Sequence, residues 1–421
     1  MAAKAVPKRS VHQAAWLVVA LPFLLAALSA CSVPEKAVAP AADVLESLDP
    51  PAGLGAFAPN LASADGNLIA TWLEPAILAD DSEGHRLRFS RFVDVEWSEP
   101  VSIAEGSDFF ANWADFPAAV ESADGTLWAH WLAKTAPDTY AYSIFLARSA
   151  DGGSTWEPTG KLNSDDTATE HGFVTFVREA RGVRAFWLDG RAMVDKQPMA
   201  LRTAILRQPS SPSPSEAVLD ARVCECCGTD SVMTDEGPVV VYRDRSETEV
   251  RDISIVRRLD DGWSAPQTVH GDLWEIAGCP VNGPAIAARD DRLAVAWFTG
   301  GADAPRVQVA FSEDSGESFG DPLVVDSDSV LGRVDIALDD DGSAWVSWVG
   351  QPAEAAQIYL QSVAPDGQRG ERQLVAETSA ARASGFPILE QLDNELFMAW
   401  VEVGEERSDS RVRIAELPKL R

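Results

Sequence analysis

The chain has 421 residues, with 65 acidic against 35 basic side chains and a net charge of −30. That charge repels nucleic acid and anionic lipid, so neither is an expected partner, and much of the acidity serves solubility. The length exceeds one compact domain of ordinary size, so two domains or a repeat architecture is expected.

In chain order, the first element is an apolar run, "AAWLVVALPFLLAALSA", behind a basic leader of Lys4, Lys8 and Arg9. This pattern predicts an export signal, too short and too soon interrupted for a membrane span. Its end, Leu28–Cys31 ("LSAC"), resembles a bacterial lipobox. The resemblance implies cleavage after residue 30, lipidation of Cys31 and a place in the cell envelope. Ser32, where sorting rules matter, implies the outer membrane, facing periplasm or exterior. An ordinary signal peptide with an incidental cysteine is the alternative. Residues 1–30 carry no acidic group, so the mature chain would have a net charge of −33. Residues 31–52 are rich in Pro and Ala and read as a tether, with the lipid as the sole membrane contact.

From residue 53 to 421 one pattern recurs. Apolar strands run into an aromatic residue at Trp72, Trp131, Trp187, Tyr242, Trp297, Trp348 and Trp400, at intervals of 51 to 59 residues. Each is preceded by a shorter strand across an Asp/Gly/Asn turn, as in "FPAAVESADGT". Each is followed by a third strand, as in "SIFLARS", and often by a fourth after Trp-x-x-Pro. Four antiparallel strands at this period describe a propeller blade. The fold class is therefore all-β, a β-propeller of seven blades, with six as the alternative. The last unit lacks its outer strand, which Val44–Asp49 ("VLESLD") is placed to supply.

Two turns, "SADGGSTW" (149–156) and "SEDSGESF" (312–319), match the Asp-box pattern S-x-D-x-G-x-[TS]-[WF]. They resemble the bacterial neuraminidase repeat of the sialidase superfamily. The resemblance covers the mature chain as a fold, and implies an active site at the mouth opposite the Asp-boxes. Sialidases use an arginine triad for the substrate carboxylate, a tyrosine–carboxylate pair and an Asp acid/base. On these terms Asp115, Arg243, Arg245, Arg333 and Arg382 are catalytic candidates, with acidic sugar as substrate. The family's early Arg-Ile-Pro motif is absent. Tyr242 replaces a blade tryptophan and Tyr359 lies within a third strand, so no nucleophile stands out. The "YRDR" arginines read equally well as a structural ion-pair network.

Topology sends the strand starts and the loops after the aromatics to one face. There the repeat places Asp115, His171, Asp189, Arg191, Cys224, Cys226, Cys227, Arg243, Asp244, Arg245, Cys279, Asn282, Arg333, Asp335 and Arg382. Cys224 and Cys279 lie 55 residues apart, one blade period, in an ungapped match that also pairs Gly228 with Gly283. The cysteines are thus expected to meet at the central mouth, with His171 facing them from blade three. Disulfides, a Cu or Zn site of Cys224, Cys226, Cys227, Cys279 and His171, and a redox thiol all remain open. Asp189, Arg191, Asp244, Asn282 and Asp335 are candidate ligand contacts. Two functions follow: a metal- or anion-binding or assembly protein with a possible protein partner, or a sialidase-type glycoside hydrolase.

Overall fold

The computed structural model describes residues 45–207 and 215–419. The expected export signal and Cys31 lie outside them. No helix among the described residues is long and apolar enough to cross a membrane.

Seven antiparallel sheets follow one another along the chain, each a blade. The inner strands are Phe57–Ala64, Ala118–Glu121, His171–Glu179, Asp230–Thr234, Ala285–Arg289, Val330–Leu338 and Ile388–Leu392. Each inner strand contacts that of the next blade, and the seventh contacts the first, so the ring is closed. The seven aromatics that mark the period all lie on second strands and are buried. A second strand has a sheet face on each side, so its residues are almost all apolar: Leu127–Lys134 is buried at every position but the last. Neighbouring blades share their cores. Trp128 of blade two, for instance, packs with Val183, Ala185 and Trp187 of blade three.

Blade seven has three strands of its own. Ser47 forms an antiparallel bridge with Ala415, and Leu48 N donates to Ile414 O at 2.8 Å. The chain that precedes blade one therefore supplies the outer edge of blade seven. Trp97 Nε1 donates to Leu48 O at 2.6 Å and fixes this edge to blade one.

The two turns that match the Asp-box pattern, 149–156 and 312–319, have the same internal bonding. Ser149 Oγ accepts from Gly153 N at 2.9 Å, and Asp151 accepts from Thr155 N at 2.9 Å. Ser312 and Asp314 do the same for Gly316 and Ser318. The second turn is also tied to its surroundings, where Ser315 Oγ donates to Asp291 at 2.8 Å and Gln267 Nε2 to Glu317 O at 2.9 Å.

Around the axis, side chains of one blade hydrogen-bond the backbone of the next. Asp115 accepts from Phe173 N at 2.8 Å, Asp230 from Ile286 N at 2.8 Å, Asn282 from Arg333 N at 2.8 Å and Asp335 from Leu389 N at 2.7 Å. Phe173 and Arg333 have positive φ, at 54° and 53°, each at a break in its strand's register. A bulky residue adopts this conformation at a cost of about 1 kcal/mol or more. Here it turns an N–H out of its own ladder towards the preceding blade.

Candidate functional site

Three thiols meet where the repeat places them. The loop before blade four's inner strand is tied down at its root, where Cys224 N donates to Arg243 O at 3.0 Å. From that root Cys224, Cys226 and Cys227 fold back on one another. Cys224 Sγ lies 3.3 Å from Cys227 Sγ and 3.9 Å from Cys226 Sγ, and the three sulfurs all fall within 4.8 Å. Cys224 and Cys227 are buried and Cys226 is half-buried. Cys279, exposed on the loop before blade five, interacts with Cys226 from outside this compact set.

One glycine allows the approach. Gly283 lies against Gly228 so closely that a Cβ on it would sit 2.2 Å from Gly228 O. The Cys279 loop is held from below as well. Asp252 accepts from Leu273 N at 2.9 Å and Trp274 N at 3.0 Å, and Ile276 N donates to Glu249 O at 3.0 Å.

Arg251 supplies positive charge at the sulfurs. Its Nη1 donates to Cys224 Sγ at 3.2 Å and to Glu225 Oε2 at 3.0 Å, while Nη2 donates to Glu249 Oε2 at 2.9 Å. Hydrogen bonds from Cys226 and Cys227, with that from Arg251, hold the Cys224 thiol well below its usual range. Burial, with its bond to Cys224, pushes Cys227 up to about 12. Cys226 is raised, first through its bond to Cys224. These bonds favour the thiolate at Cys224.

His171 does not join the thiols. Its Nδ1 lies 3.1 Å from both Tyr142 O and Thr169 O, and its Nε2 3.2 Å from Asp165 Oδ1, fully buried. A position at a strand start fixes the backbone; the nearby carboxylates decide which way the ring turns. Burial alone would lower the His171 pKa, but the bond to Asp165 and the charge of Asp189 outweigh it and raise the pKa. Asp189 and Arg191 belong to the same knot. Arg191 reaches Asp189 at 2.7 Å, Asp165 at 3.1 Å and Glu216 at 2.8 Å. The guanidinium of Arg191 thus pairs with three carboxylates.

Arg243 and Arg245 have separate partners, while Arg333 and Arg382 share the Trp113 ring. Arg243 is buried and gives three donors to backbone carbonyls: Asn282 O at 2.9 Å, Arg251 O at 2.6 Å and Phe298 O at 2.7 Å. Arg245 pairs with Glu249 and Glu225. Arg333 bonds Ser384 Oγ, Gly385 O and Ala380 O, and burial lowers its pKa to about 10. Arg382 lies 5.8 Å over the Trp113 ring. No triad converges among them, because the guanidiniums of Arg243 and Arg333 are consumed by backbone carbonyls. Asp244 accepts from Arg245 N and Ser254 Oγ, and Asn282 joins blades five and six, so both have structural partners.

Asp335 lies in the central channel, a cavity of about 350 Å³, with Asp230 and Glu390. Burial raises all three carboxyls, Asp230 to about 6 and Glu390 to about 7. Asp115 is also buried and raised well above the usual range by desolvation; its Oδ2 has no hydrogen-bond partner.

Sequence reasoning missed Arg251, Glu225 and Glu249, and it missed a tyrosine–carboxylate pair. Tyr142 Oη donates to Glu170 Oε1 at 2.6 Å, and Asp115 lies beside them. Glu170 precedes His171 in "TEHGF", which was the available signal. Tyr142 is fully buried under Phe110, whose ring stacks on it at 4.0 Å.

No protein-family model and no curated protein matches this chain. Among solved structures, it is similar to the polysaccharide lyase Uly1, with 10% identity over 92% of this chain and 93% of that one, at a TM-score of 0.52. It is also similar to a protein of unknown function from Dyadobacter fermentans, with 13% identity over 89% and 97% and a TM-score of 0.50. The Hadza microbial sialidase Hz136 matches at 13% identity over 82% and 74%, with a TM-score of 0.46. The chain has a seven-bladed β-propeller fold, and at these identities the likeness is one of fold.

Proposed function

We propose that this protein binds a soft metal ion, Cu(I) by preference, through Cys224, Cys226 and Cys227. The observation that carries the reading is the sulfur spacing. Metal–sulfur bonds of about 2.3 Å place trigonal ligands about 4 Å apart, near the 3.3 and 3.9 Å separations here. Thiolates select soft ions, and three compact sulfurs suit Cu(I) better than four-coordinate Zn(II). Arg251 offsets the charge of the thiolates. The chain is exported and held in the cell envelope by a lipid on Cys31, so Cys31→Ser should shift it from the membrane to the soluble fraction.

The sialidase reading is supported by the fold and by the Tyr142–Glu170–Asp115 group. It is the weaker one. A sugar cannot reach a tyrosine that is fully buried, and no arginine triad stands over it.

The test is to purify the mature chain under reducing, anaerobic conditions, count thiols and titrate Cu(I) and Zn(II) separately against chromogenic chelators. One Cu(I) per chain is expected, lost in Cys224→Ser and in Cys227→Ser. Four oxidised cysteines in protein taken from the envelope, with no metal retained after reduction, would overturn the proposal.

A further inference from the structure

Cys226 faces two ways. It belongs to the compact trio, with Cys224 Sγ 3.9 Å away. It also interacts with Cys279, which stands outside that trio. The four thiols form a gradient of access: Cys279 is exposed, Cys226 is half-buried, and Cys224 and Cys227 are buried.

Both loops hold their cysteines in place. Glu225, next to Cys226, is pinned by Arg245 and Arg251. Glu249 ties the two loops together. Its carboxylate accepts from Arg251 Nη2 at 2.9 Å, and Arg251 in turn donates to Cys224 Sγ. Its carbonyl accepts from Ile276 N at 3.0 Å, three residues before Cys279. Two residues after Cys226 and four after Cys279, Gly228 and Gly283 press backbone against backbone. The two thiols are thus positioned for each other before any reagent arrives.

We propose that Cys226 alternates between two exclusive partners, a soft metal ion shared with Cys224 and Cys227, and Cys279 in a disulfide, so that thiol–disulfide exchange closes the metal site. The gate rests on the metal reading of the same cluster; the disulfide itself does not. The oxidant is a low-molecular-weight disulfide, R–S–S–R. Such a molecule meets Cys279 first, because Cys279 is exposed and Cys224 and Cys227 are buried. The Cys279 thiolate attacks one sulfur, the S–S bond breaks and R–S⁻ leaves. The Cys226 thiolate then attacks the Cys279 sulfur of the mixed disulfide, and the second R–S⁻ leaves. The two cysteines give up two electrons and two protons, and R–S–S–R becomes two R–SH. A disulfide sulfur has lost the thiolate charge that binds metal, so the oxidised site keeps only two of its three sulfur ligands.

The experiment incubates the mature chain, reduced, metal-free and anaerobic, with oxidised glutathione. Free thiols are then alkylated and the remaining bonds located by fragmentation mass spectrometry. A Cys226–Cys279 bond is expected, with Cys224 and Cys227 alkylated. Cu(I) bound beforehand should slow its formation at least tenfold. The cross-linked chain should bind Cu(I) at least tenfold more weakly and recover on reduction. Cys279→Ser should keep its Cu(I) affinity through the same treatment, and its melting temperature checks its fold. A bond between Cys224 and Cys227 instead, Cys279 left as a mixed disulfide, or a Cys226–Cys279 bond that leaves Cu(I) affinity unchanged would overturn the gate alone. A reduced parent that binds no Cu(I) would overturn the metal reading and the gate with it.

Discussion

Gly283→Ala tests whether the thiol loops are brought together by backbone contact. The new Cβ would lie 2.2 Å from Gly228 O and 2.9 Å from Gly228 C and N. These are backbone atoms, so no side chain can swing aside. Restoring an ordinary contact separates the two segments by about 1 Å, an overpacking cost of about 1–3 kcal/mol. The same shift strains the Asp230–Ile286 bond three residues further on, worth about 1 kcal/mol more. The expected loss is therefore about 2–4 kcal/mol. Urea unfolding at constant m-value measures it as a lower midpoint. The control is Gly228→Ala, whose Cβ would meet nothing within 4 Å; its stability should stay level or rise by up to about 1 kcal/mol. The reasoning is refuted if Gly283→Ala unfolds within about 0.5 kcal/mol of the parent, or if both variants lose equally.

Arg243→Lys should cost about 2–4 kcal/mol, because one ammonium cannot serve three carbonyls that a guanidinium fork spans; an unchanged melting temperature would refute the structural role. Trp97→Phe removes the donor to Leu48 O and should cost about 1 kcal/mol, with faster proteolysis of residues 45–49; equal cleavage rates would count against closure by that segment. Asp230 gives a pH signature. Its carboxyl is raised to about 6 in the fold, so the folded state holds the proton more tightly than the unfolded chain. That contribution is full below about pH 4 and lost as pH rises through 6, roughly 2–3 kcal/mol in all. Asp230→Asn should flatten the decline between pH 4 and 6.5, and a decline identical to the parent's would refute the assignment.

The period of aromatic-ended strands was enough to find seven blades, because each second strand is buried on both faces and must be apolar along its length. The meeting of the cysteines was legible for a related reason. Equivalent strand starts crowd one axis, and the paired glycines in the ungapped match mark where two backbones touch. Side-chain direction was not legible. His171 turns to Asp165, and Arg243 and Arg333 turn to carbonyls, through contacts with loops whose paths no local pattern specifies. Arg251 escaped notice because it reaches Cys224 from 27 residues further along the chain, out of the loop after blade four's second strand. Tyr142 looked ordinary, since its partner Glu170 comes from the next blade.

The side chains that reach from one inner strand to the backbone of the next have a consequence for how the protein comes apart. An open solenoid frays from its ends, because its terminal repeats have one neighbour each. Here every blade has two, and Asp115, Asp230, Asn282 and Asp335 key neighbouring blades across several junctions. Unfolding should therefore be concerted, with a single breach rather than graded loss. The breach belongs at the outer edge of blade seven, where the closing segment is held by the bridge at Ser47, the Leu48 N–H, Trp97 and the bonds of Asp49 to Ile414 N and Arg413. Amide hydrogen exchange should be fastest along Arg411–Leu417 among the long strands.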